Sequence, residues 1–220
     1  MCTGRVDPAH IVDAFLAGND GVMVLGCRIG ECHYSTGNIH AERRVKWTKR
    51  FLGAIGISPE RLHIGWVSSA EDEKVVAELQ QFNRRIGALG PSGDSDPVGK
   101  EDLEFSLRAL KDVLLGEKIR WLVEKEDSLS GKENVFGQAF PGEDYEVTLK
   151  TIFNVELLRK KTILLLRKKA STVEELSKKL DLPPRQIFRH VTALRLQGAI
   201  ELSEIKEGEP VYAEAKGVQG

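Results

Sequence analysis

The chain has 220 residues, 41% hydrophobic and 30% charged, with a formal net charge of −1. That balance reads as a soluble globular protein, and this length can bury a substantial core in one or two domains without disulfide staples. No apolar run approaches the roughly 18 residues of a membrane span. The start MCTGRVDPAH lacks the basic and apolar regions of a signal peptide, so a cytoplasmic location is expected. The first element follows at Asp7-Pro8, where Asp can cap free N–H groups and Pro suits the first helical position. Ile11, Val12, Phe15 and Leu16 form its apolar stripe, and Gly18-Asn19 ends it.

GVMVLG, residues 21–26, is a short apolar run bounded by glycines and predicts a buried strand. A helix is expected from about Asn38 to Ala54, with Val45, Thr48, Leu52 and Ile55 on one face. LHIGWV, residues 62–67, predicts the next strand. SSAEDE sets Ser68 and Ser69 three residues before Glu71 and Asp72, a capping-box pattern. The helix beyond it carries Val75, Val76, Leu79, Phe82 and Ile86. Strand alternating with helix implies an α/β fold, a small parallel sheet flanked by helices. Only two strands are legible, and at least one more is expected.

GPSGDSDPVG, residues 90–99, is rich in turn formers and reads as a linker. Residues 101–125 predict helix, with Leu103, Leu107, Leu110, Leu114 and Ile119 recurring along it, and 127–143 read as loop. A helix is expected over 155–169. Ser171 and Thr172 each stand three residues before a glutamate, predicting a second capping box. Pro184 opens another helix with Ile187, Val191 and Leu194 inward, and Gly198 caps its end. IELSEIKEGEPVYAEA alternates around Glu207-Gly208 and predicts a hairpin. Helix, helix, helix, hairpin resembles a winged helix-turn-helix domain. The expected organisation is 1–90 as the α/β domain, 91–100 as linker, 101–150 as a mostly helical connector and 151–216 as the winged-helix domain.

The chemistry concentrates in three cysteines, Cys2, Cys27 and Cys32. An odd number in a cytosolic chain argues against a disulfide framework and toward metal or redox work, or toward small buried hydrophobes. GCRIGECH starts where the first strand ends, the place where ligands gather in open α/β sheets. Gly26 and Gly30 let backbone fold tightly and bring N–H groups near sulfur, which favours thiolate charge and tunes a cluster's potential. Cys2 precedes a helix, whose N-terminus lowers a thiol pKa. All three would then converge on one rim of the sheet. Zinc is a rival metal, since three Cys with His33 is a known set. The spacing C-x24-C-x4-C-H does not match the usual finger patterns. Thiol exchange is not indicated, because C-x4-C lacks the C-x-x-C arrangement.

In combination, CTGRVDP, GCxxGxCHY, GN and AERR resemble the delta subunit of methyl-viologen-reducing hydrogenases over residues 1–90. The resemblance implies a non-catalytic iron–sulfur subunit with a [2Fe-2S] cluster. It would relay electrons from the large and small subunits of a [NiFe]-hydrogenase to the flavin subunit of heterodisulfide reductase. Carried over by position, it makes Cys2, Cys27 and Cys32 cluster ligands. Members of that family usually have a strand and a cysteine pair upstream. The expectation here is therefore a truncated reading frame with Met1 internal to the natural protein. Alternatives are a separate upstream chain, or His33 as a fourth ligand in a Rieske-like manner.

Two further features invite a function. AERRVKWTKR, residues 41–50, carries five basic side chains that either face an acidic partner or form a solvated helix face. Residues 155–200 hold eleven Lys plus Arg against four Asp plus Glu, a net +7 by count. A basic helix-turn-helix binds DNA through phosphates and the major groove. Arg185, Gln186, Arg189 and His190 would form its exposed face. A redox-sensing transcriptional regulator that binds DNA is the alternative to the electron relay. Against it stands the acidic wing SEIKEGE. No G-x-G-x-x-G and no P-loop motif is present, so no nucleotide site is indicated.

Overall fold

The two apolar runs pair directly with each other. β1 (Val22–Gly26) and β2 (Leu62–Trp66) lie parallel, from Val22 opposite Leu62 to Gly26 opposite Trp66. The computed structural model of the chain describes residues 2–68 and 71–215. It divides into two units, Met1–Phe153 and Asn154–Gly220. No helix among the described residues is long and apolar enough to cross a membrane.

In the first unit, α1 (Pro8–Leu16) begins as its sequence dictates, with the Asp7 carboxylate accepting the Ala9 N–H at 2.9 Å. It buries Ala9, Ile11, Val12 and Phe15. α2 (Gly37–Ala54) crosses from β1 to β2 and buries Val45, Trp47, Phe51 and Leu52. α3 (Asp72–Leu89) departs from expectation. Of its apolar stripe only Phe82 is buried, while Val76 and Leu79 are exposed. Among the described residues this sheet is two strands wide, so it offers little surface for a third helix to cover. The Ser68 half of the expected capping box forms in part. The Glu71 carboxylate accepts the Ser68 N–H at 2.9 Å, but Glu71 itself takes the cap position. The Ser69 half lies outside the described residues.

The glycine-rich segment after α3 is packed, not a free spacer. Arg61 is fully buried and spends its guanidinium on it. Nε donates to Asp96 Oδ2 at 2.7 Å, Nη1 to the carbonyls of Asp20 and Gly90, and Nη2 to the Pro91 carbonyl and Ser95 Oγ. The Asp96 carboxylate also accepts the Ser58 and Gly93 N–H groups. A buried charge is tolerable only when paired and hydrogen-bonded in this way.

The helix expected over 101–125 is two helices. α4 (Lys100–Leu115) stops at Gly116, whose backbone turns extended (φ −72°, ψ 141°), and α5 (Glu117–Leu129) follows. α5 supplies the counter-ions for the basic run of α2. His40 and Arg44 meet Glu124 at 3.1 and 2.5 Å, Arg43 pairs with Asp127, and Lys46 meets Glu126 at 2.8 Å. Trp47 Nε1 also donates to Glu126, at 2.8 Å. Of the five basic side chains in this run, Arg43, Arg44 and Lys46 are thus taken by α5 of the same chain. α6 (Gly142–Lys168) begins well before the expected residue 155. Its Glu146 takes Arg50 at 2.8 Å, and its Phe153 stacks on Phe51 at 4.2 Å between centroids.

This pairing has a pH signature. Burial works to raise the Glu124 carboxyl, but the Arg44 and His40 side chains outweigh it and hold it below the usual range. Glu126 is lowered likewise, against burial, by Lys46, the Trp47 N–H and Arg43. A depressed folded value means the stabilisation is present above the unfolded carboxyl pKa, about 4.3, and is lost as pH falls through the folded values. Thermal melts between pH 7 and pH 3 are therefore expected to steepen their decline below about pH 4. The doubly substituted Glu124→Gln, Glu126→Gln chain should be less stable at pH 7 and lose much of that acid slope. An unchanged slope would contradict the assignment.

The second unit takes the last part of α6, then β3 (Ser171–Thr172), α7 (Val173–Leu180), α8 (Pro184–Leu196), β4 (Ile200–Lys206) and β5 (Glu209–Glu214). Its antiparallel sheet has the order β3-β5-β4. Leu166, Leu176, Ile187, Val191, Leu194, Ile200 and Tyr212 form its core. The capping box is made by Thr172 and Glu175, while Ser171 is buried in β3 with Oγ bonded to the Lys169 carbonyl. The hairpin turns at Glu207-Gly208 as expected, with both residues at positive φ, which suits the glycine and is uncommon for a glutamate.

Candidate functional site

The sulfur site is built by one close approach of backbone. Cys2 caps a 3-10 turn at Thr3–Arg5, its Sγ accepting the Gly4 N–H at 3.3 Å. Thr3 Oγ1 hooks this turn to the end of β1 through the Leu25 carbonyl at 2.8 Å. Arg44 of α2 holds it from the other side, donating to the Gly4 carbonyl at 2.6 Å. The turn then presses against the first residue of α2. A side chain on Gly4 would strike the Gly37 backbone, and one on Gly37 would strike Cys2 Sγ and lie 3.2 Å from Cys32 Sγ. Only a glycine pair allows this proximity.

The result is that Cys2 Sγ and Cys32 Sγ lie 3.8 Å apart, though 30 residues separate them. Burial works to raise the Cys32 thiol. The N–H groups of Tyr34, Asn38 and Gly37, with the Cys2 side chain, outweigh it and hold the thiol below its ordinary value. Cys27 is exposed on the loop leaving β1. Asn38, fully buried, ties that loop to α2 by donating to the carbonyls of Cys27 and Arg28 at 3.2 and 2.7 Å. Arg28 continues the anchoring through ion pairs to Glu71 and Glu31.

Sequence reasoning places all three cysteines at one rim, and the structure brings two of them together. Among the described residues no group of three or more His, Cys, Asp or Glu side chains is gathered that could hold a metal ion. His33 is exposed and lies edge-on to Tyr34 at 5.1 Å. An iron–sulfur cluster fits this site in part. The Cys2–Cys32 cradle supplies two sulfurs with backbone N–H donors, whereas a [2Fe-2S] cluster ordinarily takes four ligands. The residues missed as functional are Gly4, Gly37 and Asn38. CTG and STGN carry them, but only the fold reveals that the two glycines meet. In the second unit, Arg185, Gln186 and Arg189 are exposed on α8. His190 departs from the expected exposed face, being half-buried beside Arg159 and Glu156, and burial and then Arg159 push its pKa down.

Comparison with known proteins gives this site its context. Residues 1–90 match the family described as methyl-viologen-reducing hydrogenase, delta subunit. An iron-sulfur subunit of the F420-non-reducing hydrogenase of Archaeoglobus profundus is 44% identical over 90 residues, 41% of this chain and 66% of that protein. The corresponding iron-sulfur subunit of the F420-non-reducing hydrogenase vhc of Methanococcus voltae is 39% identical over 102 residues, 46% of this chain and 71% of that protein. One subunit of the ferredoxin/F(420)H(2)-dependent CoB-CoM heterodisulfide reductase of Methanosarcina acetivorans is 40% identical over 93 residues, 42% of this chain and 12% of that protein. The chain thus spans about two thirds of the hydrogenase proteins and about an eighth of the reductase protein. On its first 90 residues, with their CTG turn and GCxxGxCHY loop, the chain belongs to the methyl-viologen-reducing hydrogenase delta-subunit family.

Proposed function

We propose that the protein is an iron–sulfur electron-transfer subunit that relays electrons from a [NiFe]-hydrogenase to heterodisulfide reductase. The observation that carries this reading is the Cys2–Cys32 cradle, where two thiols meet among backbone N–H donors. Cys2, Cys27 and Cys32 would hold a [2Fe-2S] cluster, with zinc the lesser alternative. Such a cluster supplies one-electron transfer at a potential tuned by hydrogen bonds to sulfur and by exposure. The chain's part is to hold the thiolates close to the surface, where a partner's redox centre can approach. The hydrogenase large and small subunits and the reductase flavin subunit are the proposed partners.

The test is anaerobic purification, reconstitution with iron and sulfide, and visible and EPR spectroscopy. Expected are bound iron and sulfide, a [2Fe-2S] signal, and loss of iron from Cys2→Ser, Cys27→Ser and Cys32→Ser chains. A colourless protein that takes up zinc alone would overturn it.

We read the second unit, helix–strand–helix–helix–hairpin, as a winged helix. The exposed Arg185, Gln186 and Arg189 on α8 favour a second reading, a redox-sensing regulator that binds DNA. Against it, Glu201, Glu204, Glu207 and Glu209 are exposed on the hairpin, where a wing would meet phosphate. DNA binding that weakens steeply with salt and is lost in Arg185→Ala, Arg189→Ala would support the regulator.

A further inference from the structure

We propose that Cys2 and Cys32 also form a two-electron dithiol/disulfide pair that exchanges with small organic disulfides when the chain carries no metal. This goes beyond the electron-relay reading and does not depend on it. Spacing along the chain argues against thiol exchange only for Cys27 with Cys32. The fold pairs a different set. Cys2 and Cys32 lie 3.8 Å apart at Sγ, while Cys27 is exposed on the loop after β1. A disulfide needs its sulfurs about 2.05 Å apart, so closure asks the two sulfurs to approach by less than about 2 Å.

Three features suit exchange. Both cysteines are half-exposed, so a small disulfide can reach them. Ile29 and Tyr34, exposed on the same loop as Cys32, give apolar surface for the organic part of such a molecule. The pair is held by backbone, through the Gly4–Gly37 approach, the Thr3–Leu25 bond and the Arg44–Gly4 bond. Closing a bond between them needs no new fold.

The chemistry balances without another reactant. One thiolate of the pair attacks a sulfur of R–S–S–R′, the old S–S bond breaks, and R′–S⁻ leaves and takes up a proton. The second thiol gives its proton to solvent and attacks the protein-bound sulfur of the mixed disulfide, expelling R–S⁻, which is protonated in turn. The pair loses two electrons, and the small disulfide is reduced to two thiols.

The test uses the full chain, purified without oxygen and freed of metal by a chelator. It is equilibrated in buffers of rising oxidised-to-reduced glutathione ratio, quenched with N-ethylmaleimide and digested with trypsin. The three cysteines fall in separate tryptic peptides, residues 1–5, 6–28 and 29–43. Expected is an intact mass of the reduced chain plus one N-ethylmaleimide minus two hydrogens, a 1–5 to 29–43 cross-link, and Cys27 alkylated. The bridge should persist in Cys27→Ser and vanish in Cys32→Ser, and prior loading with iron and sulfide should suppress it. Cys2 and Cys32 both remaining alkylated or glutathionylated, or a bridge running to Cys27, would overturn the proposal. If the bridge forms but no iron binds, the relay reading fails while this one stands; iron binding with no bridge gives the reverse.

Discussion

Replacing Asp96 with alanine is expected to destabilise the first unit by about 3–5 kcal/mol, because it leaves a buried cation without its counter-ion. Arg61 is fully enclosed, and Asp96 is its one carboxylate partner among the described residues. The substitution also takes the acceptor from the Ser58 and Gly93 N–H groups. Unsatisfied buried donors add to the penalty rather than sharing it. Asp96→Asn keeps some of those bonds and should fall between wild type and alanine. Urea unfolding followed by Trp fluorescence measures the difference, since Trp47, Trp66 and Trp121 all lie in this unit. A loss under about 1 kcal/mol, the range of exposed pairs, would mean water reaches Arg61.

Gly37→Ala is expected to separate site from fold. Alanine is the better helix former in general, and Gly37 opens α2 with no positive φ to forbid it. Its methyl would nevertheless collide with Cys2 Sγ and crowd Cys32 Sγ at 3.2 Å. Overpacking of this kind costs about 1–3 kcal/mol when the neighbours cannot yield. Here the part nearest the new methyl is the Cys2 side chain, which can turn away while the Thr3–Leu25 and Arg44–Gly4 bonds keep the turn in place. Circular dichroism should therefore remain unchanged and the melting temperature should shift by only a few degrees. The Cys2–Cys32 cross-link and the iron content after reconstitution should each fall about tenfold, which corresponds to about 1.4 kcal/mol of lost proximity. Unchanged cross-linking would mean the sulfurs do not need the glycine contact.

Much of the fold was legible because local signals agree with tertiary ones. Asp7-Pro8, the runs at 21–26 and 62–67, Thr172 with Glu175 and Glu207-Gly208 each act through their own neighbours, and each appears where its chemistry puts it. What stayed hidden depends on partners far along the chain. No periodicity assigns Glu124 to Arg44 or Asp127 to Arg43 across about 80 residues, so the sequence leaves the basic run of α2 as a solvated face or a surface for an acidic partner. The stripe of α3 is apolar as read, but burial depends on how wide the sheet is. The site was half legible. The cysteines announce themselves, whereas the Gly4–Gly37 approach that pairs two of them is a property of the folded backbone alone.

The ion pairs between α2 and α5 tie the family-matched residues to the stretch that follows them. The helix bearing Arg43, Arg44 and Lys46 falls within the family-matched residues, and the carboxylates that neutralise it fall beyond residue 90. Neither stretch is free to drift by itself. A reversal of sign at 43 would face Glu124, Glu126 and Asp127 together, so no single compensating change on α5 restores the balance.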